Sequence, residues 1–191
     1  MLLMSAPAKK RATYQDLEAA PPHHIAEILN GEIVVQPRPG IPHSRVASML
    51  AVDLGGPFDL GRGGPSGWFL LYEPELHLGE DVLVPDYAGW RRKRVPVLPN
   101  TPAMELAPDW VCEILSAGTA ARDRTDKLPI YVREKIEHVW FVDPRARTLE
   151  VLGLDGTTFR VLGAWRDAAI VRAAPFDAVE LELIHWWELG P

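Results

Sequence analysis

Short apolar runs separated by proline, glycine, asparagine and aspartate dominate the chain, and their spacing predicts more strand than helix. Residues 13–20 predict a short helix with Thr13 as N-cap and Asp16 three positions on, stopped by Pro21-Pro22. Residues 25–29 and 33–36 flank Asn30-Gly31, a strong signal for a two-residue hairpin. A Pro/Gly loop over 37–42 leads to a helix over 44–54, with Val46, Met49, Leu50 and Leu54 on one face and Gly55-Gly56-Pro57 at its end. Residues 68–78 read as one strand or a bent pair interrupted at Pro74, and 83–88 as the next strand. Arg91-Arg92-Lys93-Arg94 opens a polar, proline-containing loop that runs to residue 108. A strongly apolar strand follows at 110–115, then a helix over 120–134 that Pro129 kinks or confines to one side. Residues 138–142, 148–152 and 158–162 read as successive strands with turns at Asp143-Pro144 and Asp155-Gly156, and 183–187 as a short terminal helix. Residues 1–11 read as a loose, flexible arm and 12–191 as a single domain of the mixed α/β class.

Polar residues inside or beside the apolar runs carry the chemical information. Pro85-Asp86 follows the apolar run 82–84, Glu113 sits within 110–115, and Lys127 lies in the helix beyond. A carboxylate in a buried strand is costly unless something compensates it. A hard divalent cation does so, because it takes oxygen ligands. Two carboxylates holding such an ion can polarise a phosphate and activate water, and a nearby lysine can stabilise the developing charge. Asp86, Glu113 and Lys127 are therefore candidates for a metal-dependent phosphodiester-cleaving site. Each has a plainer reading as well: a turn aspartate after proline, a strand-edge glutamate, and a helix-surface lysine paired with Asp123 at i−4. Glu27 and Glu32, on either side of the hairpin turn, are alternative third acids, and spacing alone does not choose between them.

Among the remaining polar residues, His43 stands at the mouth of a helix, where it can meet a phosphate or simply occupy a first turn. Ser116 lacks the His and Asp partners of a serine hydrolase and is kept, with His43, as a candidate substrate contact. His23-His24 and His77 show no metal-ligand spacing. The glycine-rich stretch 61–67 lacks the lysine of a phosphate loop. Arg91 to Arg94 reads as a solvated basic loop, and Tyr131 and Trp140-Phe141 read as core.

Composition narrows the class. A chain of 191 residues, 47% hydrophobic and 24% charged, fits one globular domain. No apolar stretch reaches the roughly 18 residues that span a bilayer, and the first residues lack the order of a secretory signal. The one cysteine, Cys112, lies in an apolar run and has no partner for an intramolecular disulfide. A cytoplasmic location is the expectation. The formal net charge of −6 counts against a nucleic-acid binder that relies on bulk charge, while leaving room for a local basic surface around an acidic site.

These residues, taken in order, resemble the Uma-two family of endonucleases within the PD-(D/E)xK restriction-endonuclease-like superfamily. The matching stretches are Glu27-Ile28-Leu29-Asn30-Gly31-Glu32, Pro42-His43, Val84-Pro85-Asp86, Val111-Cys112-Glu113-Ile114-Leu115-Ser116, Arg122-Asp123-Arg124-Thr125-Asp126-Lys127-Leu128 and Val139-Trp140-Phe141-Val142-Asp143-Pro144. The resemblance covers roughly residues 13 to 162. It implies a restriction-endonuclease-like mixed β-sheet core flanked by helices, with Asp86 and Glu113 binding Mg²⁺ or Mn²⁺. The superfamily lysine normally stands two residues after the glutamate, where this chain has Leu115; the resemblance moves that role to Lys127. It also favours Glu27 over Glu32 as the extra acid. The implied activity is DNA endonuclease, with DNA as partner; a homodimer is a further expectation, since many nucleases cut two strands with two active sites and most homo-oligomers are C₂ dimers. The competing reading, motivated by the acidic net charge, is a catalytically inactive nucleic-acid or protein-binding module on a nuclease fold. A metal-dependent hydrolase of other phosphoesters is a third.

Overall fold

The structure, a computed structural model, describes residues 11–190, so the predicted arm lies outside the described residues except for Arg11, which pairs with Glu80 at 2.6 Å. Helix α1 (Tyr14–Glu18) starts where predicted: the Asp16 carboxylate accepts from the Thr13 backbone N–H at 2.8 Å and from its hydroxyl at 2.7 Å. Strands β1 (His24–Leu29) and β2 (Glu32–Pro37) form the expected hairpin. Asn30 (φ 54°) and Gly31 (φ 82°) supply the left-handed turn that matches strand twist.

Helix α2 (Ile41–Leu54) begins earlier than the pattern suggested, because Pro42 falls in its first turn, where a missing N–H costs nothing. Gly55-Gly56-Pro57 does not stop the helix; the chain continues as a wide i→i+5 turn over Gly55–Asp59 that buries Phe58.

The remaining elements are β3 (Trp68–Tyr72), β4 (Leu76–Leu78), β5 (Asp81–Leu83), β6 (Tyr87–Arg91), β7 (Trp110–Ile114), α3 (Ala120–Arg122), α4 (Leu128–Arg133), β8 (His138–Asp143), β9 (Thr148–Asp155), β10 (Thr158–Arg166), β11 (Ile170–Val171), β12 (Leu181–Glu182) and α5 (Ile184–Trp187). A six-stranded sheet has the order β10-β9-β8-β7-β6-β3, and a four-stranded sheet the order β2-β1-β5-β4. Pairing in both is antiparallel except between β7 and β8, which are parallel. Their crossover is the helical stretch α3–α4, as a parallel pair requires. Two short strands, β11 and β12, pair near the C-terminus and were not foreseen.

One difference from the sequence pattern shapes the whole molecule. Residues 83–88 do not form one strand: β5 ends at Leu83 and β6 begins at Tyr87. Pro85 has no N–H to donate to a ladder, so pairing stops there and the chain passes from the small sheet to the large one. Asp86 stands at that crossing.

The large sheet buries both faces. On β7 the side chains alternate: Trp110, Cys112 and Ile114 enter a core with α2 and Phe176, while Val111 and Leu115 enter a second core with Leu83, Ile130 and Tyr131. Trp110 meets Trp140 edge-on at 5.4 Å and Phe176 at 4.9 Å. Among the described residues no helix is long and apolar enough to cross a membrane.

Gly89 on β6 lets the aromatic layer close over the strand. A Cβ there would lie 2.9 Å from Leu70 Cδ2, 3.1 Å from Trp110 Cε3 and 3.3 Å from Trp68 Cε3. Gly89→Ala is expected to destabilise the protein by about 1–3 kcal/mol, the range for overpacking a full core. Urea denaturation measures it, and an unchanged midpoint would show that the layer has slack.

Candidate active site

Glu113 occupies an inward position on β7 of the same parity as Val111 and Leu115, so the strand carries a carboxylate into its second core. Glu27 does the same on β1, sharing the parity of buried Leu29. Both glutamates are buried, at 2% and 0% exposure. Between them comes Lys127, itself 1% exposed, from the wide i→i+5 turn Asp123–Lys127 that joins α3 to α4. Its Nζ lies 3.0 Å from Glu27 Oε1, 3.2 and 3.3 Å from the two oxygens of Glu113, and 3.5 Å from Asp123 Oδ1.

Backbone and hydroxyl donors complete the set. Val84 N–H donates to Glu27 Oε1 at 2.8 Å, and the Tyr131 hydroxyl donates to Glu113 Oε1 in a short hydrogen bond. Asp86, beside β7 at the strand break, accepts from Ile114 N–H at 2.6 Å on Oδ2, and its Oδ1 lies 2.9 Å from His43 Nε2 at the start of α2. Asp86, Glu113, Asp123, Lys127, His43 and Ser116 line one cleft of about 40 Å³, walled by Pro37 and Pro39. That is room for a small ion and few waters. A wider groove of about 760 Å³ between α2 and residues 188–190 gathers no comparable set of acids.

Electrostatics follow from burial. Desolvation pushes the Glu113 carboxyl well above the usual range; Lys127 opposes this, while Asp123, Asp86 and Glu27 add to it. Burial raises Asp123 too, opposed by Lys127 and by a hydrogen bond from Thr119. For Lys127, burial alone would lower the pKa, but the carboxylates of Glu113, Glu27 and Asp123 outweigh it and hold the ammonium protonated. Burial, then Glu113, likewise keeps the Tyr131 hydroxyl protonated, so it stays a donor.

The structure thus brings Glu27, Asp86, Glu113, Lys127, His43 and Ser116 to one place. Glu32 is left out: it lies exposed where the hairpin leaves its turn. Ser116 sits at the rim, its hydroxyl 3.1 Å from that of Thr119. Lys127 does pair with Asp123 at i−4, yet in a buried cluster and not on a helix surface. Sequence reasoning missed Asp123 and Tyr131 as members. Their signal is spacing, four before and four after Lys127, which places all three along one helical face. The basic run behaves differently from a solvated loop: Arg91 and Arg94 pair with Asp109, and Arg92 with Asp59.

Among the described residues, no three His, Cys, Asp or Glu side chains form a ready-made ion cage, because the Lys127 ammonium stands among the acids. The donors nevertheless suit a divalent cation. All are carboxylate oxygens, three acids pair with one ammonium while Asp86 lines the same cleft, and Glu27 Oε2 is buried without a partner.

Residues 11–182 match the model of the Uma2 family, described as "Putative restriction endonuclease". A crystal structure from Anabaena variabilis ATCC 29413, described as a "putative nuclease belonging to DUF820", aligns with a TM-score of 0.70 and 21% identity. The alignment covers 85% of this chain and 89% of that one, and at this identity it speaks for a shared fold. No curated protein matches the chain. The family match spans nearly every described residue, and the mixed α/β architecture recurs in that crystal structure; the chain belongs to the Uma2 family.

Proposed function

We propose that the protein is a Mg²⁺- or Mn²⁺-dependent endonuclease acting on DNA, with Asp86 and Glu113 as metal ligands. The observation that carries this reading is the convergence of Asp86, Glu113 and Lys127 on one cleft where the two sheets meet, with Glu27 buried behind it against Lys127. When bound, the ion would supply a polarised phosphate and a more acidic attacking water.

The chain's own residues have separate tasks. Ile114 N–H and His43 fix both oxygens of Asp86, so the carboxylate faces the cleft in one orientation. Tyr131 fixes Glu113 from behind. Lys127, paired with Glu27, Glu113 and Asp123, contributes positive charge beside the reacting phosphate. Glu27 anchors that lysine in the metal-free protein. His43 and Ser116, which line the cleft, would meet the substrate backbone. A homodimer, in which two such clefts cut two strands, and a cytoplasmic location belong to the same proposal.

Cleavage of plasmid and single-stranded DNA should require Mg²⁺ or Mn²⁺ and stop with EDTA. Asp86→Ala and Glu113→Gln should each lower the rate by on the order of 100-fold or more. Equal nicking by wild type and Asp86→Ala would overturn the site. Absent cleavage with no Mn²⁺ bound would favour the non-catalytic binding module, and metal-independent cleavage would overturn the metal dependence.

Tyr131→Phe tests the support behind Glu113. Losing the hydroxyl leaves a buried carboxylate oxygen short of a donor, so stability should fall by about 1–3 kcal/mol in urea melts. A variant as stable as wild type would show that Lys127 alone holds Glu113.

A further inference from the structure

The ammonium of Lys127 stands between the acids that the metal-dependent reading assigns to an ion and its surroundings. It contacts Glu27 and both oxygens of Glu113 at 3.0 to 3.3 Å, and it is 1% exposed. Two positive charges a few ångströms apart in a desolvated site repel strongly. A divalent ion on Glu113 and the ammonium in its present place would therefore compete for the same carboxylate oxygens. Glu27 shows the mismatch from the other side: one oxygen takes the ammonium and Val84 N–H, while Oε2 is buried with no partner.

Asp123 offers the alternative. Its Oδ1 is 3.5 Å from Nζ, the longest of the contacts yet within ion-pair reach, and its side chain lines the cleft. Both residues stand on the wide turn Asp123–Lys127, so the ammonium can pass from Glu113 to Asp123 by side-chain rotation, without moving a strand. Lysine has a flexible stem and a compact charge suited to such a transfer.

We infer that Lys127 is an internal cation competing with a divalent metal ion for Glu113 and Glu27, and that Asp123 is the positioning residue that holds the ammonium once the metal has displaced it. This rests on the metal-dependent reading above. In the metal-free protein Lys127 keeps the acids from repelling one another. In the loaded protein Asp123 supplies the counter-charge that lets the ammonium remain near the phosphate.

The test is calorimetric titration of the full chain with Mn²⁺ for wild type, Lys127→Met, Asp123→Asn, Asp123→Glu, and the Lys127→Met/Asp123→Asn pair. Lys127→Met should bind about tenfold tighter and Asp123→Asn about tenfold weaker, within the usual range of site coupling. Asp123→Glu should restore wild-type affinity. In the Lys127→Met background, Asp123→Asn should change nothing, because no ammonium needs a place. An equal loss in both backgrounds would make Asp123 a direct ligand or a plain charge effect and overturn the inference. So would a Lys127→Met variant that binds no tighter. If Lys127→Met is folded only in the presence of Mn²⁺, the ion has taken the lysine's place, as inferred. If it folds under neither condition, Lys127→Gln, whose amide still donates to the glutamates, takes its place in the same comparison with the same outcomes. Wild type that binds no Mn²⁺ removes the metal-dependent reading and this one with it, whereas Mn²⁺ binding that is lost in Asp86→Ala but insensitive to Lys127 and Asp123 removes this one alone.

Discussion

The buried ion cluster around Lys127 is the constraint on which the rest of the structure depends. A 1%-exposed ammonium and three nearly fully buried carboxylates would be ruinous as isolated charges. They are tolerable because each is held by more than one partner. Lys127 touches three acids, Glu27 also takes a backbone N–H, and Glu113 also takes the Tyr131 hydroxyl. These partners come from both sheets and the crossover helix. The small sheet, the large sheet and α3–α4 are thus fastened at a polar point inside otherwise apolar packing. A hydrophobic replacement would hold the layers as well, since buried ion pairs are a poor source of stability. The retained charges make better sense as machinery.

Asp86 owes its position to a break and not to an element. The Val84-Pro85-Asp86 segment leaves one sheet, exposes no ladder donor at the proline, and enters the other. At that gap the Val84 N–H is free of a strand partner and turns to Glu27, while Ile114 N–H turns to Asp86. The same discontinuity that divides the sheets therefore supplies the donors that orient two acids. Asp81 secures the approach: it accepts from Asn30 N–H at 2.6 Å and pairs with Arg133 at 2.9 Å, tying the hairpin turn and α4 to β5.

Much of this was legible because it is written locally. The Thr13 cap, the Asn30-Gly31 turn and the apolar alternation of β7 depend on neighbouring residues alone, and the resemblance carried by the stretches around Glu27, Asp86, Glu113 and Lys127 carried the fold class. What escaped depends on partners far along the chain. Residues 83–88 are apolar enough for one strand; Pro85, together with the competition between two sheets, divides them. Asp123 looked like a solvent-facing partner for Lys127, since periodicity does not report that the helix is pressed against two glutamates. Tyr131 passed for core, which it is, while its hydroxyl serves Glu113. Pro42 and Gly55 show the same limit at helix ends, where local breakers yielded to packing by Val46, Leu50 and Phe58.

The acidic net charge also reads differently against the structure. Arg91, Arg92 and Arg94 are engaged with Asp109, Glu137 and Asp59 and fix the loop after β6 to its neighbours, so they form no free basic face. Arg124 is tied to Glu150 and stacked over Phe141 at 4.3 Å, and Arg133 to Asp81. With so many arginines internally paired, attraction of a phosphate backbone cannot rest on a broad positive field. On the proposed reading it is concentrated in the cleft, where Asp86, Glu113 and Asp123 stand with the Lys127 ammonium. A divalent cation bound there would offset most of that negative charge and, on the proposed reading, give a phosphate its positive ligand, while the acidic remainder of the surface would repel polyanions elsewhere. Metal loading and substrate capture would then be one electrostatic event, and the −6 net charge a source of selectivity for the cleft over the rest of the surface.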